Sequence, residues 1–176
     1  EKYDIETIVH NRHMIELLKA QAPYASLKVH IKINSGMNRL GFLPQEEEEI
    51  RAQLQTIEGV QVMGVVTHFA NAEPTYGHER PATVSIQLNR MDKIQPMPKN
   101  LCMANSAATL WQSDVKGDAV RAGVALYGVS PDSHYRSADL NIRPAITLSA
   151  TICAIQNVPA GQAHGYRSLF VSLSES

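Results

Sequence analysis

With 176 residues, 44% of them hydrophobic, the chain can bury one sizeable core. Its 16 lysines and arginines nearly balance 17 acids, which removes any bulk-charge case for nucleic acid or a membrane surface. No apolar run approaches the roughly 18 residues of a membrane span, and no signal-peptide pattern is recognised. Cys102 and Cys153 form neither a CxxC motif nor a disulfide framework, which suits a reducing, cytoplasmic compartment and a simple packing role.

Short β-rich runs alternate with amphipathic helices along most of the chain. Ile5–Val9 reads as a strand, and His13–Ala20 as a helix with Met14, Leu17 and Leu18 at helical spacing. Val29–Ile33 is the second strand. The run Glu46–Glu49 opens the next helix, to Leu54, as a solvated first turn that suits the helix dipole. Val60–Phe69 reads as a long strand and Thr83–Ile94 as a helix with Ile86, Leu88 and Met91 inward. Leu101–Ala104 is a short strand, Ala107–Gln112 a helix, and Ala119–Leu126 a fifth strand.

Alternation at this spacing predicts parallel strands with right-handed crossovers, an α/β fold. The pattern changes after Pro131. Ile142–Ile155 is β-branched with no helix following, and Val158-Pro159-Ala160-Gly161 punctuates it as a turn. The expected division is therefore 1–131 and an all-β segment, 132–176. The first residues and the alternating pattern at Leu169–Ser176 both read as cuts through a larger protein.

Three places carry chemistry. After the second strand, the turn Asn34-Ser35-Gly36-Met37-Asn38 delivers Arg39 beyond a strand that ends near Lys32, and strand-end loops are where barrel enzymes keep their reactive groups. His68 ends the third strand. It could be an acid/base group, a metal ligand, a flat ring for stacking or a satisfied structural histidine. No second ligand sits at metal spacing, His78 being too far along, so no metal is assigned.

Asn105-Ser106-Ala107 is a strand-to-helix junction with Ser106 expected at the N-cap, where a hydroxyl and free N–H groups suit an anion. Arg121, Gly123 and Val124 follow on the next strand. Barrels often build phosphate sites from the loops after their last strands. N-caps and strand glycines are nonetheless ordinary features, and Arg39, Lys32 and Arg121 could be plain surface charges.

Taken together, these blocks resemble the alanine racemase family. Lys32–Gly41 is similar to its K-x-D-[ST]-G-M-x-R-L-G signature. The block around His68 matches H-F-A-x-A, Asn105–Ala107 matches N-S-A, and Val120–Pro131 matches V-R-x-G-[IV]-x-L-Y-G-x-S-P. Gly165-Tyr166 stands where the family has its G-Y.

The resemblance implies part of a (β/α)8 TIM-type barrel, followed by the start of a C-terminal all-β domain. It implies pyridoxal 5′-phosphate as cofactor and interconversion of L- and D-alanine by two-base proton transfer, supplying D-alanine for bacterial peptidoglycan. Arg39 would bond the cofactor's phenolic oxygen, and Lys32, often carbamylated in the family, would hold Arg39. His68 would pack on the ring. Ser106, with Asn105 and the backbone of Gly123 and Val124, would bind phosphate, and Arg121 would face the ring nitrogen. Tyr166 would be a catalytic base, acting in trans in a homodimer. Alternatives are a broad-specificity amino-acid racemase of the same fold type, or a non-catalytic barrel that binds the cofactor.

There are departures. The family's cofactor-capturing lysine lies in a V-K-A-[ND]-A-Y-G-H-G block on the first barrel strand. None of Lys2, Lys19, Lys28, Lys32, Lys93, Lys99 and Lys116 sits in such a block. Without that lysine the chain alone is expected to be inactive, and the sequence holds about five of eight barrel strands. Asn34 replaces the signature's aspartate, and Arg167 follows Tyr166 where glycine is usual.

Overall fold

The computed structural model describes residues 3–75, 79–96, 99–115, 117–164 and 166–173, without the side chains of His164 and Tyr166. The chain divides into two compact units, 1–146 and 147–176. Unit 1 holds five strands, β1 (Thr7–Val9), β2 (Leu27–Lys32), β3 (Val60–Val66), β4 (Leu101–Ala104) and β5 (Ala119–Val120). They pair in chain order, all parallel. Sequential order is what a barrel wall requires, because a doubly wound sheet reverses direction part-way. Helices α1 (Arg12–Gln21), α2 (Glu47–Gln55), α3 (Ala82–Met91) and α4 (Ser106–Trp111) fill the crossovers.

Strand β2 shows how the two faces differ. Side chains alternate along a strand, and Val29, Ile31 and Ile33 are fully buried with Ile15, Ile50, Leu54, Val84 and Met91 of the helices. Lys28, His30 and Lys32 point to the opposite face. There His30 Nε2 lies 2.5 Å from Glu6, beside a groove of about 550 Å³ that also reaches Cys102 and Arg121. No helix among the described residues is long and apolar enough to cross a membrane.

Local chemistry sets the helix boundaries. Asn11 caps α1 by accepting the Met14 N–H at 2.9 Å, and Glu46 takes the Leu43 N–H at 2.8 Å ahead of α2. The acidic run is more than a solvated turn. Glu47 is buried and paired with Arg51, while Glu46 and Glu49 both bind Arg12 of α1.

Several expectations are corrected. In α3 the buried residues are Val84, Gln87 and Met91, with Leu88 partly buried against the core, and Ile86 is exposed. Strand β3 stops at Val66, before His68. The fifth strand is two residues long, and Val124–Tyr127 form a 3-10 helix. The reason is hydrogen bonding: the Gly123 and Ala125 N–H groups go to Ser106 Oγ, and Leu126 N–H turns back to Gly123 O.

In unit 2, Ala163–His164 (β6) and Phe170–Val171 (β7) form an antiparallel pair. Arg167 lies between them at φ +65°, the left-handed region that glycine occupies without strain. The expected strand Ile142–Ile155 has no ladder; Ile146, Leu148, Ile152 and Ile155 are exposed. Cys153 is likewise exposed rather than packed.

Candidate functional site

Apart from Tyr166, the site residues singled out in the sequence lie at or just beyond the C-terminal ends of β2 to β5. Beyond β2, the loop 34–41 returns on itself. Phe42 N–H reaches Lys32 O at 2.9 Å and Asn34 N–H reaches Phe42 O at 2.7 Å. Asn34 Oδ1 organises the turn by accepting the N–H groups of Gly36 (3.2 Å) and Asn38 (2.9 Å). Asparagine does this as an aspartate would, without adding an anion near Lys32. Gly41 sits at φ +118°, where a Cβ would lie 2.7 Å from Lys32 O and 2.8 Å from Asn34 N. Arg39 is thereby presented, exposed, at the loop's end.

Arg121 anchors the other side. Its Nη1 donates to Cys102 O (2.9 Å) and Cys102 Sγ (2.8 Å), and its Nη2 to Thr67 O and to His68 Nδ1 at 3.3 Å. Arginine can only donate, so His68 Nδ1 is the acceptor and the neutral ring carries its proton on Nε2. The four Nη hydrogens are thereby occupied. Among the described residues the Nε–H is the donor left over.

These cations act on one another. Burial, then Arg121 and then Arg39, push Lys32 down to about 8. Burial, followed by Arg121, Lys32 and Arg39, holds His68 below the usual imidazole range. Lys32, Arg39, His68 and Arg121 therefore form one positively charged cluster in which the imidazole stays neutral.

A third group lies at the start of α4. Asn105, not Ser106, is the N-cap: its Oδ1 accepts the Ala108 N–H at 2.9 Å. Ser106 stands one residue later, buried, and its Oγ accepts the N–H groups of Gly123 (2.8 Å) and Ala125 (3.3 Å). A Cβ on Gly123 would meet only Ser106 Oγ, at 4.0 Å, so there is room for a ligand to approach the backbone at this point. Val124 begins the 3-10 helix and is exposed.

The structure thus brings Lys32, Arg39, His68 and Arg121 into one electrostatic cluster. It joins Ser106 to the Gly123–Ala125 backbone. His78 and Gly165 lie outside the described residues, as does the side chain of Tyr166. Sequence reasoning missed Ser35, Thr67 and Gln87, which are buried and hydrogen-bonded to one another behind the two loops. It also gave Cys102 a packing role alone, although its sulfur takes an Arg121 N–H. The available signal was a polar residue in the apolar stripe of α3.

Residues 1–131 match the family profile described as alanine racemase, N-terminal domain. The chain belongs to the alanine racemase family. It is 36% identical over 176 residues to the catabolic alanine racemase of Klebsiella aerogenes, covering 99% of this chain and 48% of that protein. It is 38% identical over 166 residues to the alanine racemase of Laribacter hongkongensis, covering 93% and 44%. Among solved structures, the biosynthetic alanine racemase of Pseudomonas aeruginosa superposes with TM-score 0.80 at 27% identity, over 96% of this chain and 46% of that one. The alanine racemase of Acinetobacter baumannii gives 0.75 at 32% identity, over 99% and 48%. The chain spans about half the length of the relatives it matches. Its five sequential parallel strands are part of the (β/α)8 barrel that forms the family's N-terminal domain.

Proposed function

We propose that this chain carries the polar half of a pyridoxal 5′-phosphate site and serves the interconversion of L- and D-alanine. The observation that carries the reading is the donor set. A cation cluster, a leftover Arg121 Nε–H and the Ser106 hydroxyl, whose oxygen accepts the Gly123 and Ala125 N–H groups and whose proton is left to donate, suit a ligand with an acceptor ring nitrogen, a phenolate and a phosphate. The residues present fit the group. Arg39 would hold the phenolic oxygen, with Lys32 holding Arg39 in place, and His68 would pack on the ring. Arg121 would donate to the ring nitrogen, and Ser106 with the Gly123–Ala125 backbone would hold the phosphate.

When bound, pyridoxal phosphate supplies an electron sink that lets the substrate's α-proton leave. Arg121 would limit that sink: arginine cannot give up its proton, so it would donate to the ring nitrogen without protonating it. A sink weakened in this way would favour return of the α-proton, and so racemisation over transamination. Neutral His68 adds no second positive charge against the ring. Lys32, pushed down to about 8, has enough free amine near neutral pH to take up CO2 as a carbamate, which would turn a repelling cation into an anion facing Arg39. Tyr166 would take or return the α-proton, in trans within a homodimer. The family resemblance supports this role and the cytoplasmic supply of D-alanine for peptidoglycan.

The lysine that captures the cofactor in the family has no counterpart among this sequence's lysines. The 176-residue chain would therefore bind pyridoxal phosphate without turning over alanine. The test is the purified chain with cofactor and L-alanine in deuterated water. Cofactor binding without α-deuterium is expected; deuterated D-alanine would overturn the assignment of the missing lysine.

A further inference from the structure

Helix α3 lies behind the site, and no family motif used above falls on it. Gln87, on its inward stripe, is only 2% exposed. Its Nε2 donates to Ser35 Oγ and to His68 O, both at 2.9 Å, and its Oε1 accepts the Ala70 N–H at 2.9 Å. Every polar position of the amide except one oxygen lone pair is used, and turning the amide over would break all three bonds. One turn along, Arg90 Nη1 donates to Ser35 O at 3.0 Å. The loop has no side chain where α3 approaches: a Cβ on Gly36, at φ +149°, would lie 2.9 Å from Arg90 Nη1 and 3.1 Å from Gln87 Cγ.

The hydroxyls beyond Gln87 have a fixed direction. Thr67 Oγ1 donates to Ile33 O at 2.9 Å. With that proton used, Thr67 Oγ1 must accept from Ser35 Oγ at 2.7 Å, and Ser35 Oγ in turn accepts from Gln87. Thr67 O also receives Arg121 Nη2. One buried relay therefore spans the Arg39 loop, the His68 loop and the Arg121 fork. Deleting its one amide would leave the Ala70 N–H and the His68 carbonyl without partners.

We propose that Gln87 is a positioning residue of this site, clamping the Arg39 loop to the His68 loop and so setting the spacing of the groups that face the ligand's ring. Its relevance to the cofactor rests on the function proposed above. The clamp itself does not, and the test separates the two. Gln87→Met keeps the volume and removes all three bonds; Gln87→Glu keeps the shape and the Ala70 bond but loses both donors.

The first readout needs no cofactor. His68 ring protons are titrated by NMR in the unliganded chain. Both variants should move the imidazole back up toward its ordinary range, by two-fold or more in protonation constant, because the ring is no longer held buried and against Arg121, Lys32 and Arg39. In Gln87→Glu the new carboxylate pushes the same way, so Gln87→Met decides provided it folds. If Gln87→Met does not fold, the Arg39 amide resonances in Gln87→Glu decide. They should shift or broaden if the clamp is lost.

The second readout is affinity. Gln87→Met should weaken pyridoxal 5′-phosphate about tenfold and inorganic phosphate less than twofold, since the proposed phosphate site is at Ser106 and Gly123, which Gln87 does not touch. An unchanged His68 titration in Gln87→Met, or unchanged Arg39 resonances in Gln87→Glu, would overturn the clamp. Equal losses for both ligands would overturn it too, showing a general loss of structure. Failure of the unsubstituted chain to bind pyridoxal phosphate, with the His68 shift present, would overturn the cofactor reading alone.

Discussion

Replacing Lys32 by methionine should stabilise the chain at neutral pH, and the gain should vanish in alkali. Lysine's ordinary 10.5 falls to about 8 here because the ammonium is partly buried and faces Arg121 and Arg39. At roughly 1.4 kcal/mol per pKa unit this gap corresponds to about 3 kcal/mol. Partial exposure screens the charge, which reduces the expected gain to about 1–2 kcal/mol. Because the folded-state value is the lower one, the unfolded chain binds more protons between about pH 8 and 10.5, and stability rises with pH across that window. Below it both states are protonated and the full penalty persists. Urea unfolding of both proteins in CO2-free buffers should show Lys32→Met more stable near pH 7, with the two converging near pH 10.5. A difference that does not change with pH, or a less stable methionine variant at pH 7, would refute the electrostatic argument.

Other outcomes follow from the same geometry. Ser106→Ala removes the acceptor of the Gly123 and Ala125 N–H groups; it should cost about 1–2 kcal/mol in urea unfolding and weaken inorganic phosphate about tenfold in calorimetry. Arg121→Lys cannot reproduce a fork that reaches Cys102, Thr67 and His68, so about 1–3 kcal/mol of stability should be lost. Adding bicarbonate near pH 8 should raise the melting temperature of the unsubstituted chain and leave Lys32→Met unmoved. Gly41→Ala forces a Cβ against the Lys32 and Asn34 backbone at φ +118°; it should lower the melting temperature by several degrees, for a cost of about 1–3 kcal/mol.

Much of this was legible in the sequence because it was written in local patterns. The alternation Val29, Ile31, Ile33 against Lys28, His30, Lys32 fixed a strand with one buried face, and the turn Asn34–Gly41 announced its own loop. Gln87 was not legible, because a binary reading of α3 passes over a polar residue at an inward position and promotes Ile86 in its place. The fifth strand was overread for a related reason. Val124 and Leu126 have strand-like side chains, but their neighbours' N–H groups are claimed by Ser106. Ile142–Ile155 has the composition of a strand, yet a strand exists only with a partner to accept its ladder. Cys102 looked inert because nothing near it in sequence shows that Arg121, on a neighbouring strand's end, reaches its sulfur.

The most direct test of the central claim is a titration of the chain with pyridoxal 5′-phosphate and, separately, with pyridoxal, followed through the single Trp111 on α4 and the ligand's absorbance. The account predicts saturable binding of the phosphate ester, at least tenfold weaker binding of pyridoxal, and loss of that preference in Ser106→Ala. Equal affinity for the two ligands, or no saturable binding of either, would contradict it.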